Sequence, residues 1–207
     1  MASILYVIVF LVLVATSGTF SIAVSKTLSV TNANDWGDWG DAQYCGERTY
    51  AVGYDMKIEE RQRRGDDTAL NGIKLICQSP FGHTSRRGVA TSSVGPWGGW
   101  VGEALCDNRN GKQHFLTSFN LQSEKKQGKG DDTSANFVKF KCRDLVGSLP
   151  SYEMSRDPGF GEWGQYGSWS SECYKGTAIC GIKTRVEVPQ GRGDDTALND
   201  VIFYCCR

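Results

Sequence analysis

Gly65-Asp66-Asp67-Thr68-Ala69-Leu70-Asn71, Gly130-Asp131-Asp132-Thr133-Ser134-Ala135-Asn136 and Gly193-Asp194-Asp195-Thr196-Ala197-Leu198-Asn199 are three versions of one phrase. Successive copies stand 65 and 63 residues apart. Each lies 11 residues, counted from its first Asp, ahead of a cysteine: Cys77, Cys142 and Cys205. A fixed internal period is the mark of one structural unit repeated, and three copies imply a molecule with pseudo-threefold symmetry.

Working outward from the phrase, each unit opens on an aromatic-glycine signature: Trp36-Gly37-Asp38-Trp39, Trp97-Gly98-Gly99-Trp100 and Trp163-Gly164-Gln165-Tyr166. An early cysteine follows each opening Trp by 9, 9 and 10 residues, at Cys45, Cys106 and Cys173. An alternating stretch comes next, Ala51–Glu59 in the first unit, Phe119–Glu124 in the second and Ile179–Glu187 in the third. The segment closing each unit has one apolar face: Ile73, Leu75 and Cys77 match Val138, Phe140 and Cys142, then Val201, Phe203 and Cys205. Lys74, Lys139 and Lys141 fall between them, which is the period-two pattern of a half-buried antiparallel strand. No long segment keeps a 3.6-residue period, and 25 glycines punctuate short alternating runs, so the class is all-β.

The alignment also orders the eight cysteines. Each unit holds an early and a late one, giving Cys45–Cys77, Cys106–Cys142 and Cys173–Cys205. Cys180 and Cys206 are left to pair within the third unit. Neighbouring residues on a strand point to opposite faces, so Cys205 and Cys206 serve separate bridges. Zinc is a poor alternative, because there is no Cys-x2-Cys and the histidines are only His83 and His114.

Ile4–Ala15 is an unbroken run of 12 apolar residues followed by small ones. It is too short to span a membrane, which takes about 20 residues. It reads as a secretory leader over residues 1–23, although no Lys or Arg precedes it. Residues 24–207 are then a single domain of three repeats, about 30–90, 91–150 and 151–207. An even number of cysteines behind a leader places the chain in an oxidising, extracellular compartment. Basic and acidic residues number 23 each, so no general attraction to nucleic acid or an anionic membrane is expected. No Asn-x-Ser/Thr sequon occurs.

Three signatures, three early cysteines, three Gly-Asp-Asp-Thr phrases and three closing cysteines together resemble the vitelline membrane outer layer protein I family over about Val30–Arg207. The second unit departs from the pattern at Ser134-Ala135 and by an insertion near Asn108–Lys112. The resemblance implies a β-prism of the first kind, three four-stranded Greek-key sheets around a pseudo-threefold axis. It also implies a secreted, disulfide-bonded component of an extracellular coat. The role expected is a non-catalytic, structural and interaction one, with glycans or coat glycoproteins as candidate partners and no cofactor.

The candidate binding residues are Asp66, Asp67, Asp131, Asp132, Asp194 and Asp195. At a Gly-containing turn such aspartates first serve local structure, accepting backbone hydrogen bonds. If the three turns converge at one end of a prism, six carboxylates rim a common site suited to sugar hydroxyls or, less simply, a hard cation. The tryptophans at matched positions read as core, whereas Trp169 does not recur and is the candidate stacking surface. Arg64-Gly65-Asp66 and Arg192-Gly193-Asp194 match an adhesion triplet by coincidence, since the turn already demands Gly-Asp. The rival class is a carbohydrate-active enzyme, a hydrolase or transglycosylase on amino-sugar oligomers using the clustered Asp residues. No unit carries a distinct acidic pair that departs from the repeat, which counts against it.

Overall fold

The structure, a computed structural model, describes residues 22–61, 68–81, 87–125, 133–189 and 196–207. The described residues form strands and no helix. In chain order the strands are β1 (Val24–Leu28), β2 (Asp38–Trp39), β3 (Gln43–Tyr44), β4 (Tyr50–Ile58), β5 (Leu70–Gln78), β6 (Gly88–Thr91) and β7 (Gly99–Trp100). They continue as β8 (Ala104–Leu105), β9 (His114–Ser123), β10 (Ala135–Asp144), β11 (Tyr152–Met154), β12 (Gln165–Tyr166), β13 (Ala178–Val186) and β14 (Leu198–Cys206).

These strands build three antiparallel walls. The first has the order β6-β5-β4-β7, with β8 also paired to β4. The second is β11-β10-β9-β12, and the third is β1-β14-β13-β2 with β3 also paired to β13. In each wall the fourth strand returns beside the first, the Greek-key arrangement. The fold is therefore a three-sided β-prism, as the repeat and the family resemblance imply.

The wall is not the sequence unit. In the sequence each Trp-Gly signature opens its own repeat, yet its strand completes the preceding wall. Trp100 on β7 pairs with Lys57 on β4, and Tyr166 on β12 pairs with Gln122 on β9. Trp39 on β2 pairs with Arg185 on β13, so both ends of the chain make the third wall. Glycine explains the seat of these strands. Gly37, Gly98 and Gly164 have φ of 72°, 70° and 71°. A Cβ at each would stand 2.2–2.3 Å from the main chain of Val186, Ile58 or Ser123. Only a residue with no side chain lets the strand lie that close in that conformation.

Because of this offset, three disulfides cross between walls. Cys45 follows β3 of the third wall and is bonded to Cys77 on β5 of the first. Cys106 follows β8 and is bonded to Cys142 on β10 of the second wall. Cys173 follows β12 and is bonded to Cys205 on β14 of the third. The partners are those of the repeat alignment, and together they run a covalent ring through all three walls. The remaining bridge, Cys180–Cys206, joins β13 to β14 within the third wall.

Two bulges recur in every wall. Near the cysteine end the residues left out of the register are Val52, Thr117 and Cys180. Their carbonyls accept the N–H of Cys106, Cys173 and Cys45. The extra residue of a bulge leaves its backbone groups unpaired, and here that spare carbonyl anchors a cross-wall cysteine. At the other end the skipped residues are Asn71, Asn136 and Asn199.

Inward-facing side chains of the walls meet on the axis. Phe203 packs against Phe119 and Phe140 with ring centroids 4.8 and 5.2 Å apart, and Tyr54 stacks at 4.6 Å from Phe140. Leu75, Ile73, Val138, Val201 and Ile182 complete this fully buried layer. Tyr54 is its polar member. Its hydroxyl donates to Val138 O at 3.0 Å and accepts from Arg156 N–H at 3.0 Å. Burial outweighs that incoming hydrogen bond and pushes the phenol up to about 12.

Candidate functional site

At the end of the prism where the repeated phrases lie, three side-chain triads hold the same geometry. Thr68 Oγ1 donates to Glu59 Oε2 at 2.6 Å, Thr133 to Glu124 at 2.9 Å and Thr196 to Glu187 at 2.7 Å. In each wall the bulged Asn then donates from Nδ2 to that threonine oxygen at 2.7 Å. The glutamate's own N–H donates at 2.8 Å to the carbonyl of the next residue after the threonine, Ala69, Ser134 or Ala197. Those three residues have φ of 49°, 54° and 50°, an unfavourable region for a residue with a Cβ. Each triad therefore clamps shut a strained strand entry. Charge-assisted hydrogen bonds of this kind, here partly buried, are stronger than neutral ones.

The glutamates of the triads lie outside the repeated phrase and are not among the residues its pattern singles out. Their signal was present: Glu59, Glu124 and Glu187 each stand 7 residues before the first Asp of a phrase. The candidate residues Asp66, Asp67, Asp131, Asp132, Asp194 and Asp195 lie outside the described residues. Among the described residues no group of three or more His, Cys, Asp or Glu side chains is placed to hold a metal ion.

Trp169 lies on the outside of the second wall and is half-buried. Lys139 and Lys141 sit over its ring at 5.4 and 4.9 Å from the centroid, and Lys139 also covers Tyr166 at 4.3 Å. Glu153 pairs with Lys139 at 2.8 Å and Glu172 with Lys141 at 3.6 Å. The facet is an aromatic pair under a neutralised layer of charge, more enclosed than a bare stacking platform. Cation–π contact accounts for the covering lysines. The hydroxyl of Tyr166 donates to Gly159 O at 2.8 Å, and burial, with Tyr54 and Glu153 nearby, raises its pKa.

Two further carboxylates are perturbed, each in its own surroundings. Asp200 on β14 is pushed up to about 6 by burial, against the opposing pull of Val201 N–H and Arg185. Asp144 on β10 is 2% exposed, and burial alone would raise it. Hydrogen bonds from Ser148 and the charge of Lys112, 3.7 Å away, instead hold it below the usual carboxylate range.

The seams between walls are not equivalent. After the aromatic of each fourth strand comes Gly40, Val101 or Gly167, whose N–H donates to Thr184 O, Met56 O or Leu121 O. At Gly40 a Cβ would stand 2.0 Å from Ser93 Oγ, and at Gly167 it would stand 2.4 Å from the Asn32 side chain. The chain segments after β6 and β1 thus press directly onto the glycine, closing two seams. In the third seam, between the first and second walls, Val101 occupies that position. The segment after β11 there is longer and carries Pro158, Gly159 and Phe160. This seam is open, with a basin of about 570 Å³ along its side and another of about 480 Å³ at the prism end. Arg156 and Asp157 line both.

Comparison with known proteins places this architecture. The family model described as vitelline membrane outer layer protein I matches residues 26–207. The human vitelline membrane outer layer protein 1 homolog is 40% identical over 186 residues, covering 88% of this chain and 84% of its own. The mouse homolog is 40% identical over 183 residues with the same coverage. Among solved structures, a mannose-binding lectin from Champedak aligns over 91% of this chain and 100% of its own, with a TM-score of 0.47 and 13% identity. A mannose-specific jacalin-related lectin from Morus nigra aligns over 93% and 99%, with a TM-score of 0.43 and 16% identity. Likeness at that level transfers no binding site to this chain.

Proposed function

Since the chain belongs to the vitelline membrane outer layer protein I family, we propose that it is a secreted, non-catalytic structural and interaction component of an extracellular coat, and that it contacts glycans there. The observation that carries this reading is the covalent ring: every wall is bonded to the next by a disulfide. Such bridges persist in oxidising compartments, and a body cross-linked through all its walls resists opening and proteolysis. That durability suits a component of an extracellular layer.

The triads support a structural role for the repeated phrases. The glutamates and threonines of the phrase ends are engaged in holding the backbone, in the same way three times over. Glycan contact then falls to surfaces where the repeat is broken, of which the Trp169 facet is one. Aromatic rings beside paired charged groups suit the apolar face and the hydroxyls of a sugar.

Expression of the full chain in cultured cells, followed by imaging of native tissue, tests the placement. The disulfide-bonded protein is expected in the medium and in an extracellular layer; retention in the cytosol ends this reading. A glycan array on purified protein tests the contact, with Trp169→Ala expected to weaken whatever binds. Incubation with chitin oligomers, read by mass spectrometry, tests the absence of turnover. New oligomer lengths that vanish in an Asp66→Asn, Asp131→Asn, Asp194→Asn variant would restore the enzymatic reading.

A further inference from the structure

We infer that the open seam between the first and second walls is a docking groove for an extended, basic peptide segment of a partner protein. The side basin lies between two strand edges. On one side stand Ala104 and Leu105 of β8, the outermost strand line of the first wall, and on the other Tyr152–Met154 of β11, the outermost strand of the second. An edge strand carries backbone N–H and C=O groups directed away from its own sheet, ready to pair with an incoming strand. Two strand spacings amount to ~9.5 Å, the opening that one inserted strand requires.

The opening has a defined cause. Two seams close because glycine admits the neighbouring segment, at Gly40 and Gly167. At the third, Val101 stands in the glycine's place and the longer segment after β11 meets the first wall further along, through Arg156 N–H on Tyr54, so the groove arises where the threefold pattern breaks. One occupant per molecule follows. Tyr152 bounds the groove, donating across the seam to Asp107 O at 3.1 Å while Arg109 stacks on its ring at 3.3 Å. At the prism end the floor becomes apolar, with Ile58, Val101 and Phe137 beneath Phe160, which is 61% exposed.

The charge of the lining selects the partner. Seven carboxylates line the two basins against three guanidiniums, those of Arg61, Arg109 and Arg156. Glu103 and Glu153 have outside partners in Arg87 and Lys139; with both included the two basins together stay net acidic, the excess lying at the prism end with Glu60 and Glu162. A strand alternating Lys or Arg with Val or Leu presents cations to this rim and apolar side chains to the floor, in the period of a β-strand.

The test uses the mature, oxidised protein and three fluorescent peptides read by anisotropy. They are Lys-Val-Lys-Val-Arg-Val-Lys, its glutamate counterpart, and a block-scrambled version of the basic peptide with the alternation destroyed. Saturable one-to-one binding of the alternating basic peptide is expected, with both others weaker by about tenfold or more. Glu103→Lys with Glu153→Lys should abolish the preference, and Val101→Gly should weaken binding by about tenfold as the seam closes. Hydrogen exchange on the complex should slow at residues 103–109 and 152–156. Equal binding of basic and scrambled peptides, no binding, or protection elsewhere would overturn the inference. So would a neutral oligosaccharide that occupies the same residues in place of the peptide. Glycan binding at the Trp169 facet stands or falls separately.

Discussion

Thr133 has two tasks at once, donating to Glu124 and accepting from the buried Asn136 amide. Valine matches its shape and removes both. Thr133→Val is expected to cost about 2–3 kcal/mol in urea unfolding, because a buried amide and a carboxylate each lose a hydrogen bond at once. Thr68→Val and Thr196→Val should cost similar amounts, and a variant with no loss would remove the clamp from the account. Asp200 gives a prediction in pH. Below about pH 4 its carboxyl is neutral in both folded and unfolded chains. As pH rises towards about 6 the unfolded chain releases its proton first, so folded stability falls, and the loss is complete above that value. Asp200→Asn should therefore raise the melting temperature at pH 8 and leave it nearly unchanged at about pH 3. Solvent screening at this partly buried group holds the gain to about 1–2 kcal/mol. An equal gain at both pH values would exclude ionisation as its source.

Among elements, the fourth strand of each wall is the one whose placement was hidden. Its neighbours in sequence are the early cysteine and the alternating stretch of the next wall, so its repeat unit was legible but its sheet was not. Hydrogen bonding decided the matter, through Gly37, Gly98 and Gly164 lying against another strand's main chain. Gly98→Ala places a methyl 2.2 Å from Ile58 O at positive φ, which should cost about 2–4 kcal/mol by overpacking and backbone strain together. Circular dichroism melts of Gly98→Ala and of Gly99→Ala, whose Cβ meets nothing, provide the contrast. Equal melting temperatures would refute the close-approach argument. The triads were half legible: the threonines and asparagines lay inside the repeated phrase, while the glutamates sat beyond it at a constant distance. The open seam was not legible: Trp39-Gly40, Trp100-Val101 and Tyr166-Gly167 differ in the sequence, but a glycine's partner in space cannot be read from one chain position.

For the whole molecule, symmetry was the legible property, since period, cysteine order and apolar faces all repeat. What escaped was the frame in which three repeats become three walls, and with it the fact that the bridges tie walls together. Removing Cys106 and Cys142 opens a loop of 36 residues, and removing Cys180 and Cys206 opens one of 26. Chain entropy alone assigns each about 3–4 kcal/mol, nearly the same. Protease digestion should nonetheless separate them, because the first pair holds two walls together and the second lies inside one hairpin. Faster cutting of the Cys106→Ala, Cys142→Ala variant at equal temperature is expected, and equal rates would deny the ring its mechanical role. The third wall carries one more consequence. Its strands β1 to β3 leave the ribosome early, and their partners β13 and β14 follow every strand of the other two walls. At roughly 5–20 residues per second the nascent chain carries those early strands unpaired for on the order of ten seconds. Whatever shields an unpaired edge has that interval in which to act, and a chain cut short before β13 would hold two finished walls beside three early strands still waiting for a partner.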